Sequence, residues 1–424
     1  MSIRAYAARL GVAVATVSNW DRRGEGARLN TETQQLLDID LDRASDDVRE
    51  RFEAILAGEA DAVNRRHFLS AGGVVMVGAL ASATVSATEG GGAAPPLSDM
   101  ADVATLLRRT ILAPTPGTGI EHLSAACLAD TAAKAWLLRQ QAQYDALGAL
   151  LSDLIPRAEA GAAELSGEDA WQAGAAMVHA YNAASSLLKR LGDDSLAVIA
   201  ADRAARAARR LDEPALIAAA QYRLANVFLA GRRPDQAYDV ALAAADLVDP
   251  GRSHAKRNIA TWGGLLLTAA VAAARKSDQS RAWELLGSAR AAGRLLGEDH
   301  ADMYAIFGPT NVAIHGVQVA VEIGDGKEAI RRSQCVNPTG LPASLVERRS
   351  QFLIDLAHAN LLTGDAIAAT AALVNAERVA PQEVRLSLDA HEIVRRLLGY
   401  PGGGRGSELR ALANRIGFDG RGVQ

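Results

Sequence analysis

A group of small and polar side chains near the start of the chain has the residue types that contact DNA. Its two arginines can neutralise phosphates, its asparagine can bond a base edge, and its serine and threonine can bond bases or phosphates. Residues 1–24 carry a local charge of +3, whereas the whole chain has a formal net charge of −4. A local excess of this kind is what a DNA-contacting face requires. The predicted DNA-binding residues are Ala15, Thr16, Ser18, Asn19, Arg22 and Arg23.

Two short helices would have to position these side chains. Apolar residues fall at helical spacing from Ile3 to Leu10, and the same spacing resumes from Val14 to Trp20. Gly11 lies between the two runs and suits a sharp turn, because glycine tolerates backbone conformations that other residues avoid. This outline predicts a helix-turn-helix. The alternative interpretation is an ordinary helical hairpin with no DNA contact.

The stretch YAARLGVAVATVSNWDRRG resembles the Cro/repressor-type helix-turn-helix family, whose pattern is roughly LAxxxGVSxxTVSxWExG. The match runs from Tyr6 to Asp21. Ala13 departs from it, since the family usually has a serine there whose helix cap contributes roughly 1 kcal/mol. A full five-helix repressor domain also needs a helix before Met1, so the prediction is either a trimmed variant or a misplaced start codon.

An acidic segment follows the predicted DNA-binding motif. Residues 25–62 carry a net charge of −7, and residues 31–41 and 45–56 show helix signals. We therefore predict that residues 1–62 form a helix-turn-helix region with an acidic helical connector. The connector is either a solvated helical segment or a shield for the basic face of the motif when DNA is absent.

Residues 63–99 form an apolar, glycine-rich linker that resembles a twin-arginine export signal. Arg65 and Arg66 precede Phe68 and Leu69, the run from Phe68 to Thr88 carries no charge, and glycines and prolines follow. Three interpretations remain open: a soluble linker, a signal-anchor that tethers the motif to a membrane, or a true chain start near residue 63. The favoured one is a flexible or loosely helical soluble linker.

The rest of the chain is predicted to be helical, with an α-solenoid of tetratricopeptide-like helix pairs over residues 100–400 and a linker and short helix over 401–424. Hydrophobic residues make up 49% of the chain and aromatic residues only 4%, which favours close-packed helices. The clearest repeat covers residues 214–250. Small residues open the second helix of successive pairs at Ala237, Ala282, Ala329 and Ala369.

This register predicts two further sets of small residues where paired helices approach each other closely. The positions 12 residues earlier are Ala225, Ala270, Val317 and Ala357, and those 7 residues later are Ala244, Ala289, Val336 and Ala376. Before these repeats, residues 132–158 and 171–211 are predicted to form two more helix pairs. After them, a single helix over residues 383–398 is predicted to cap the array.

A solenoid of this kind presents a concave face lined by the first helix of each pair. Side-chain amides on that face could bond the backbone of an extended peptide, while the neighbouring Tyr222, Ile314 and Ile354 would hold its side chains. Leu267 is predicted to face inward as well. The alternative is that the polar residues are ordinary surface groups with no ligand. The predicted ligand-binding residues are Tyr222, Asn226, Asn311, Gln318, Gln351 and His358.

Signals for catalysis and for metal or cofactor binding are missing. The eight histidines occur singly, and Cys127 and Cys335 fit no metal or redox spacing. No glycine-rich loop has the lysine that a phosphate-binding loop needs. We therefore expect neither an enzyme nor a bound metal or cofactor, and two free thiols indicate a reducing compartment such as the cytoplasm.

A reduced helix-turn-helix followed by tetratricopeptide-like repeats resembles the actinobacterial repressor-type regulators with repeat domains. The resemblance implies a transcriptional regulator that binds double-stranded DNA as a homodimer, because such motifs usually occupy two half-sites. It also implies that the repeat domain dimerises, binds a peptide or small signal, or does both. The competing interpretation is a repeat-protein scaffold, membrane-tethered or exported, with a vestigial helix-turn-helix.

Overall fold

The computed structural model describes residues 100–113, 124–251, 254–337, 341–399 and 407–418. All of them belong to the unit Ala93–Gln424. The predicted helix-turn-helix, the acidic connector and the twin-arginine-like segment lie outside the described residues.

The described residues form an α-solenoid in which consecutive helices pack against each other in chain order. The helices before the middle of the array are α1 (Met100–Leu112), α2 (Ala125–Gln140), α3 (Tyr144–Glu164), α4 (Gly167–Arg190), α5 (Asp194–Leu211), α6 (Pro214–Ala230), α7 (Pro234–Ala245), α8 (Lys256–Arg275) and α9 (Gln279–Leu296). The later helices are α10 (Pro309–Ile323), α11 (Gly326–Ser333), α12 (Val346–Leu362), α13 (Ala366–Val379), α14 (Pro381–Leu386), α15 (Leu388–Leu398) and α16 (Ser407–Arg415). The predicted all-α solenoid is confirmed for this part of the chain.

The turn between paired helices repeats because its residue types repeat. In four pairs a residue with left-handed backbone follows the first helix, and an aspartate then caps the second helix by accepting a hydrogen bond from a backbone N–H. Each cap stabilises its helix by about 1 kcal/mol. The left-handed residues are Gly192, Ser277, Gly324 and Gly364, and the capping residues are Asp193, Asp278, Asp325 and Asp365.

The small-residue register predicted from sequence coincides with the closest helix packing. All twelve residues of the register are buried, and ten of them, including Ala237, Ala282 and Ala357, have no exposed surface. A larger side chain there would push paired helices apart. Val336 is the one position that the helical prediction misplaces, because α11 ends at Ser333 and Val336 packs from the segment after it.

The structure differs from the helical prediction at two connections between helices. The polar run Glu298 to Asp302 opens a hairpin of two-residue strands, β1 (His300–Ala301) and β2 (Ile306–Phe307), which the helical pattern does not predict. Asp302 forms this hairpin by accepting the backbone N–H groups of Tyr304 and Ala305. The predicted capping helix over residues 383–398 is interrupted at Ser387, whose side chain caps α15 instead.

The two ends of the array contact each other. Arg139 of α2 and Arg190 of α4 form ion pairs with Glu347 of α12, at 3.2 and 2.8 Å. The side chain of Gln382 in α14 accepts the backbone N–H of Tyr144 at 2.7 Å. The array therefore bends around until its first pairs meet its last ones, and the concave side becomes the wall of a cavity. None of the described helices is long and apolar enough to cross a membrane.

Candidate ligand-binding cavity

The concave side of the solenoid encloses a cavity of about 570 Å³, within the size range of ligand sites. Its wall is built by the first helix of each pair, α2, α4, α6, α8, α10 and α12. The junction of α14 and α15, residues 386–389, contributes the remaining side of the wall. The cavity thus lies where the sequence predicts the concave face.

Most of the predicted ligand-binding residues line this cavity. Asn226, Gln318 and His358, which share one position of the repeat, all lie on the wall, as do Tyr222 and Gln351. Two of the amides already have partners within the protein: Asn226 Nδ2 donates to Tyr222 O at 2.8 Å, and Gln351 Nε2 donates to Asp355 Oδ1 at 3.3 Å. Asn226 Oδ1 and the amide of Gln318 are the groups left for a peptide backbone. That these residues bind a ligand stays a prediction.

Asn311 is not part of the cavity wall, which corrects its predicted position. Its side chain is 1% exposed, and Nδ2 donates to Ile306 O at 2.7 Å, so it ties α10 to the β-hairpin. Leu267 and Ile314 are likewise buried in helix packing, whereas Ile354 lines the cavity. For Asn311 the difference comes from the inserted hairpin, because β2 directly precedes α10 and its Ile306 carbonyl accepts the Asn311 amide.

Positive charge is concentrated on one side of the cavity. We call Arg139, Lys189, Arg190, Arg223 and Arg348 the basic cluster; all five line the wall. In the part of the chain that the structure describes, Lys189, Arg223 and Arg348 form no ion pair, and Arg348 Nε is buried without a hydrogen-bond partner. The guanidinium of Arg223 lies over the ring of Tyr222, 4.9 Å from the ring centroid. These three cations therefore line the cavity without a carboxylate partner among the described residues.

The carboxylates beside the basic cluster are already engaged. Glu347 bonds both Arg139 and Arg190, and Glu383 lies 2.8 Å from Arg190 and accepts the hydroxyl of Tyr144 at 2.5 Å. Burial alone would raise the pKa of Glu347, but the two arginines outweigh it and lower the pKa. Burial and the nearby Glu347 raise the pKa of Glu383. These two groups therefore offset only part of the positive charge of the basic cluster.

The uncompensated cations are destabilised by their surroundings. Burial, and then the guanidinium of Arg190, lower the pKa of Lys189 to about 7. Burial and Arg139 also lower the pKa of Arg223, to about 10. An anion bound between them would supply the missing counter-charge, and in a partly desolvated cavity such a charge-assisted contact is strong.

A second group of residues on the cavity wall carries negative charge. We call Glu322, Asp355 and Asp389 the acidic cluster; all three line the wall, and among the described residues the one ion pair with them is that of Arg275, 2.5 Å from Glu322. Burial, and then the carboxylate of Asp389, raise the pKa of Asp355 to about 7. The cavity is therefore bipolar, with a basic and an acidic side.

The lowered pKa of Lys189 gives a direct spectroscopic prediction. In NMR spectra of the protein labelled with 13C-lysine, one of the five side-chain signals should titrate near pH 7. Lys276 is the matched contrast, because its hydrogen bond with Asp235 raises its pKa. The Lys189→Arg variant should lack the signal that titrates near pH 7. Five lysines that all remain charged through pH 8 would show that this side of the cavity is solvated.

The two charged clusters were not predicted, although some of their members lie beside predicted residues in the sequence. Arg223 follows the predicted Tyr222 directly, and Asp355 lies one helical turn after the predicted Gln351. The sequence therefore already contained charged residues on the face that the repeat register assigns to the concave side. Glu383 was instead assigned to a surface cap, because nothing in the sequence shows that the end of the array returns to its beginning.

These features define the class of the described unit as an α-helical repeat protein with a bipolar, ligand-sized cavity on its concave side. No protein-family model matches the chain, and no curated protein matches it. Among solved structures it is similar to a Rap protein complexed with Competence and Sporulation Factor, with 13% identity, a TM-score of 0.45, and coverage of 69% of this chain and 87% of that one. BtubC from P. vanneervenii is 19% identical, with a TM-score of 0.36 and coverage of 54% and 90%. Neither similarity is close enough to carry an argument about function.

Proposed function

We propose that this protein is a DNA-binding regulator whose helical-repeat domain is a receptor for a peptide with a free carboxylate. The observation that carries the receptor part is a set of three cations that line the cavity, Lys189, Arg223 and Arg348, none of which has a carboxylate partner within the part of the chain that the structure describes. In a structural ion-pair network, buried charges are neutralised by partners within the protein. In a binding site, a buried charge lacks such a partner and pairs with the ligand.

A peptide fits the other features of the wall. The cavity carries the amide of Gln318 and the free oxygen of Asn226 for backbone groups, and apolar side chains such as Val271 and Ile354 for ligand side chains. Amide contacts to a backbone do not depend on sequence, so specificity would come from the apolar contacts. No arrangement of a nucleophile beside a general base is needed for this role, and we propose a receptor and not an enzyme.

The receptor part can be tested with a synthetic library of random tetrapeptides with free termini. The full-length protein is mixed with the library and separated from unbound peptide by size exclusion, and retained peptides are identified by mass spectrometry. The double variant Arg223→Gln, Arg348→Gln should retain them at least about tenfold less, because it removes two charge-assisted contacts. Neither arginine forms an ion pair within the described residues, so the double variant should fold normally.

The matched control is Arg206→Gln, which changes an arginine outside the cavity wall that pairs only with Asp202 on the same helix. It should retain peptides as the parent does. Equal retention by the parent and the double variant would contradict the proposed carboxylate site. Absence of any retained peptide would contradict the receptor function itself.

The DNA-binding part rests on the residue types and spacing of the N-terminal motif. Replacing Asn19 and Arg22 with alanine should abolish specific binding to the protein's own promoter fragment and leave the helical content unchanged. Electrophoretic mobility shift and circular dichroism are the measurements. If the double variant still retards the fragment as the parent does, the recognition helix is assigned wrongly, and the scaffold interpretation replaces the regulator.

The regulator would act as a cytoplasmic homodimer, since two motifs on two half-sites give the affinity that one short helix cannot. Ligand binding would change DNA affinity only through a difference in peptide affinity between DNA-bound and free protein. Measuring promoter binding with and without a retained peptide shows whether the two sites are coupled.

A further inference from the structure

The acidic cluster has an open hydrogen-bonding position that faces the cavity. Asp355 is 7% exposed and lies on the wall, and its Oδ1 accepts from Gln351 Nε2. Its other oxygen, Oδ2, is buried and has no hydrogen-bond partner among the described residues. A buried carboxylate oxygen without a donor is costly, which points to a ligand group that donates.

The neighbouring carboxylates of Asp389 and Glu322 favour a donor that carries positive charge. Glu322 forms an ion pair with Arg275. Asp389 lies at the junction of α14 and α15, where it is exposed at the rim of the cavity and forms no ion pair within the described residues. From its own helix, Asp355 meets the weak opposing charge of Arg348 and the Gln351 amide. An ammonium group between Asp355 and Asp389 would satisfy both carboxylates.

The two charged clusters are separated by a definite distance along one helix. Arg348 and Asp355 are seven residues apart on α12, which places both on the same face. With a rise of about 1.5 Å per residue, their Cα atoms lie roughly 10 Å apart along the axis. An extended peptide spans roughly 3.3–3.6 Å per residue, so about three residues bridge this separation.

We propose that the ligand of the cavity is a short peptide of about three residues with both termini free, whose carboxylate lies at the basic cluster and whose N-terminal ammonium bonds Asp355 and Asp389. The proposal rests on the receptor function above and adds the second terminus, the orientation and the length. A cavity that holds both termini selects against longer chains and against chains with a blocked amine.

The test uses four random tripeptide libraries that differ only at their ends: both termini free, N-acetylated, C-amidated, and blocked at both ends. The full-length protein is incubated with each library, and retained peptide is quantified by mass spectrometry after size exclusion. The free library should be retained at least about tenfold better than the N-acetylated one, because acetylation removes a charged hydrogen-bond donor. A random octapeptide library with free termini should be retained about tenfold less than the tripeptides.

The outcomes separate this inference from the proposed function. Equal retention of the free and N-acetylated libraries, with loss of the C-amidated one, would overturn the ammonium site and leave the receptor function standing. Failure of all four tripeptide libraries, together with failure of the tetrapeptides, would overturn both. Retention of octapeptides as strongly as tripeptides would overturn the assigned length.

Substitutions at Asp389 and Asp355 test whether these residues cause the preference for peptides with a free amine. Asp389→Asn should reduce the preference for the free amine while the preference for a free carboxylate remains; Asp389 is exposed, so the variant should fold. Asp355→Asn keeps the shape of the side chain and should abolish the preference for the free amine. Asp153→Asn, which changes an exposed aspartate outside the cavity wall, is the matched control and should leave both preferences as in the parent. A free-amine preference that survives in Asp355→Asn and in Asp389→Asn would overturn the proposal.

Discussion

Replacing Glu347 with alanine is expected to lower the free energy of unfolding by about 3–5 kcal/mol. Glu347 is 8% exposed and bonds Arg139 and Arg190, which come from helices more than 150 residues away in the chain. Removing the carboxylate leaves Arg139 buried without a counter-charge, and it also removes the contact between the first and last helix pairs. Urea denaturation of the full-length protein, followed by circular dichroism, is the measurement.

The matched control is Glu392→Ala, which removes a glutamate that pairs with Arg395 at an exposed position of α15. Exposed pairs on one helix contribute little, so its effect should stay below about 1 kcal/mol. If Glu347→Ala costs no more than Glu392→Ala, the contact between the two ends of the array does not stabilise the fold, and the cavity is not closed on that side.

Replacing Asp355 with asparagine is expected to raise the stability of the free protein at pH 8, by up to about 4 kcal/mol. Burial and the carboxylates of Asp389 and Glu322 raise the pKa of Asp355 to about 7, so at pH 8 the folded protein carries a charge that its surroundings disfavour. The asparagine carries no charge and can keep the hydrogen bond with Gln351. A substitution that stabilises the free protein and weakens ligand binding indicates a residue that is retained for binding at a cost in stability.

The size of this effect must change with pH. A carboxyl whose pKa is higher in the folded state binds more protons there, so its contribution to stability falls as pH rises from about 4 to about 7. The stability gain of Asp355→Asn should therefore be small at pH 5 and grow to its full value at pH 8. Denaturation curves of variant and parent at both pH values measure it.

Asp302→Asn is the control with the opposite sign. Burial would raise the pKa of Asp302, but hydrogen bonds from His300 and from the Ala305 and Tyr304 backbone outweigh it and lower the pKa. Its contribution is present at pH 8 and is lost as pH falls through its folded pKa. The same substitution there should therefore destabilise the protein at pH 8. An Asp355→Asn variant that is less stable than the parent at pH 8 would contradict the uncompensated charge in the acidic cluster.

The sequence was sufficient to predict the helix pairs and the concave wall. Small residues such as Ala237 and Ala282 recur because paired backbones approach closely, and that constraint is local enough to be visible as a period. The same register placed Asn226, Gln318 and His358 at one position, and the structure brings all three to the cavity.

The ion pairs that join the two ends of the array could not be predicted, because they are contacts between distant parts of the chain. Arg190 and Glu383 are 193 residues apart, and neither residue type nor local spacing indicates that they meet. The misplaced Asn311 has a similar cause: its amide donates to Ile306 in a β-hairpin that a regular helical repeat does not contain. Periodic packing is encoded locally, whereas the curvature of the array is the sum of many small angles.

A crystal structure of the full-length protein with a tripeptide retained from the free-ended library would test the bipolar peptide site most directly. We expect the peptide in the cavity, with its carboxylate within hydrogen-bond distance of Arg223 or Arg348 and its ammonium within hydrogen-bond distance of Asp355. A peptide bound outside the cavity, or inside it with its carboxylate away from the basic cluster, would show that the site is assigned wrongly.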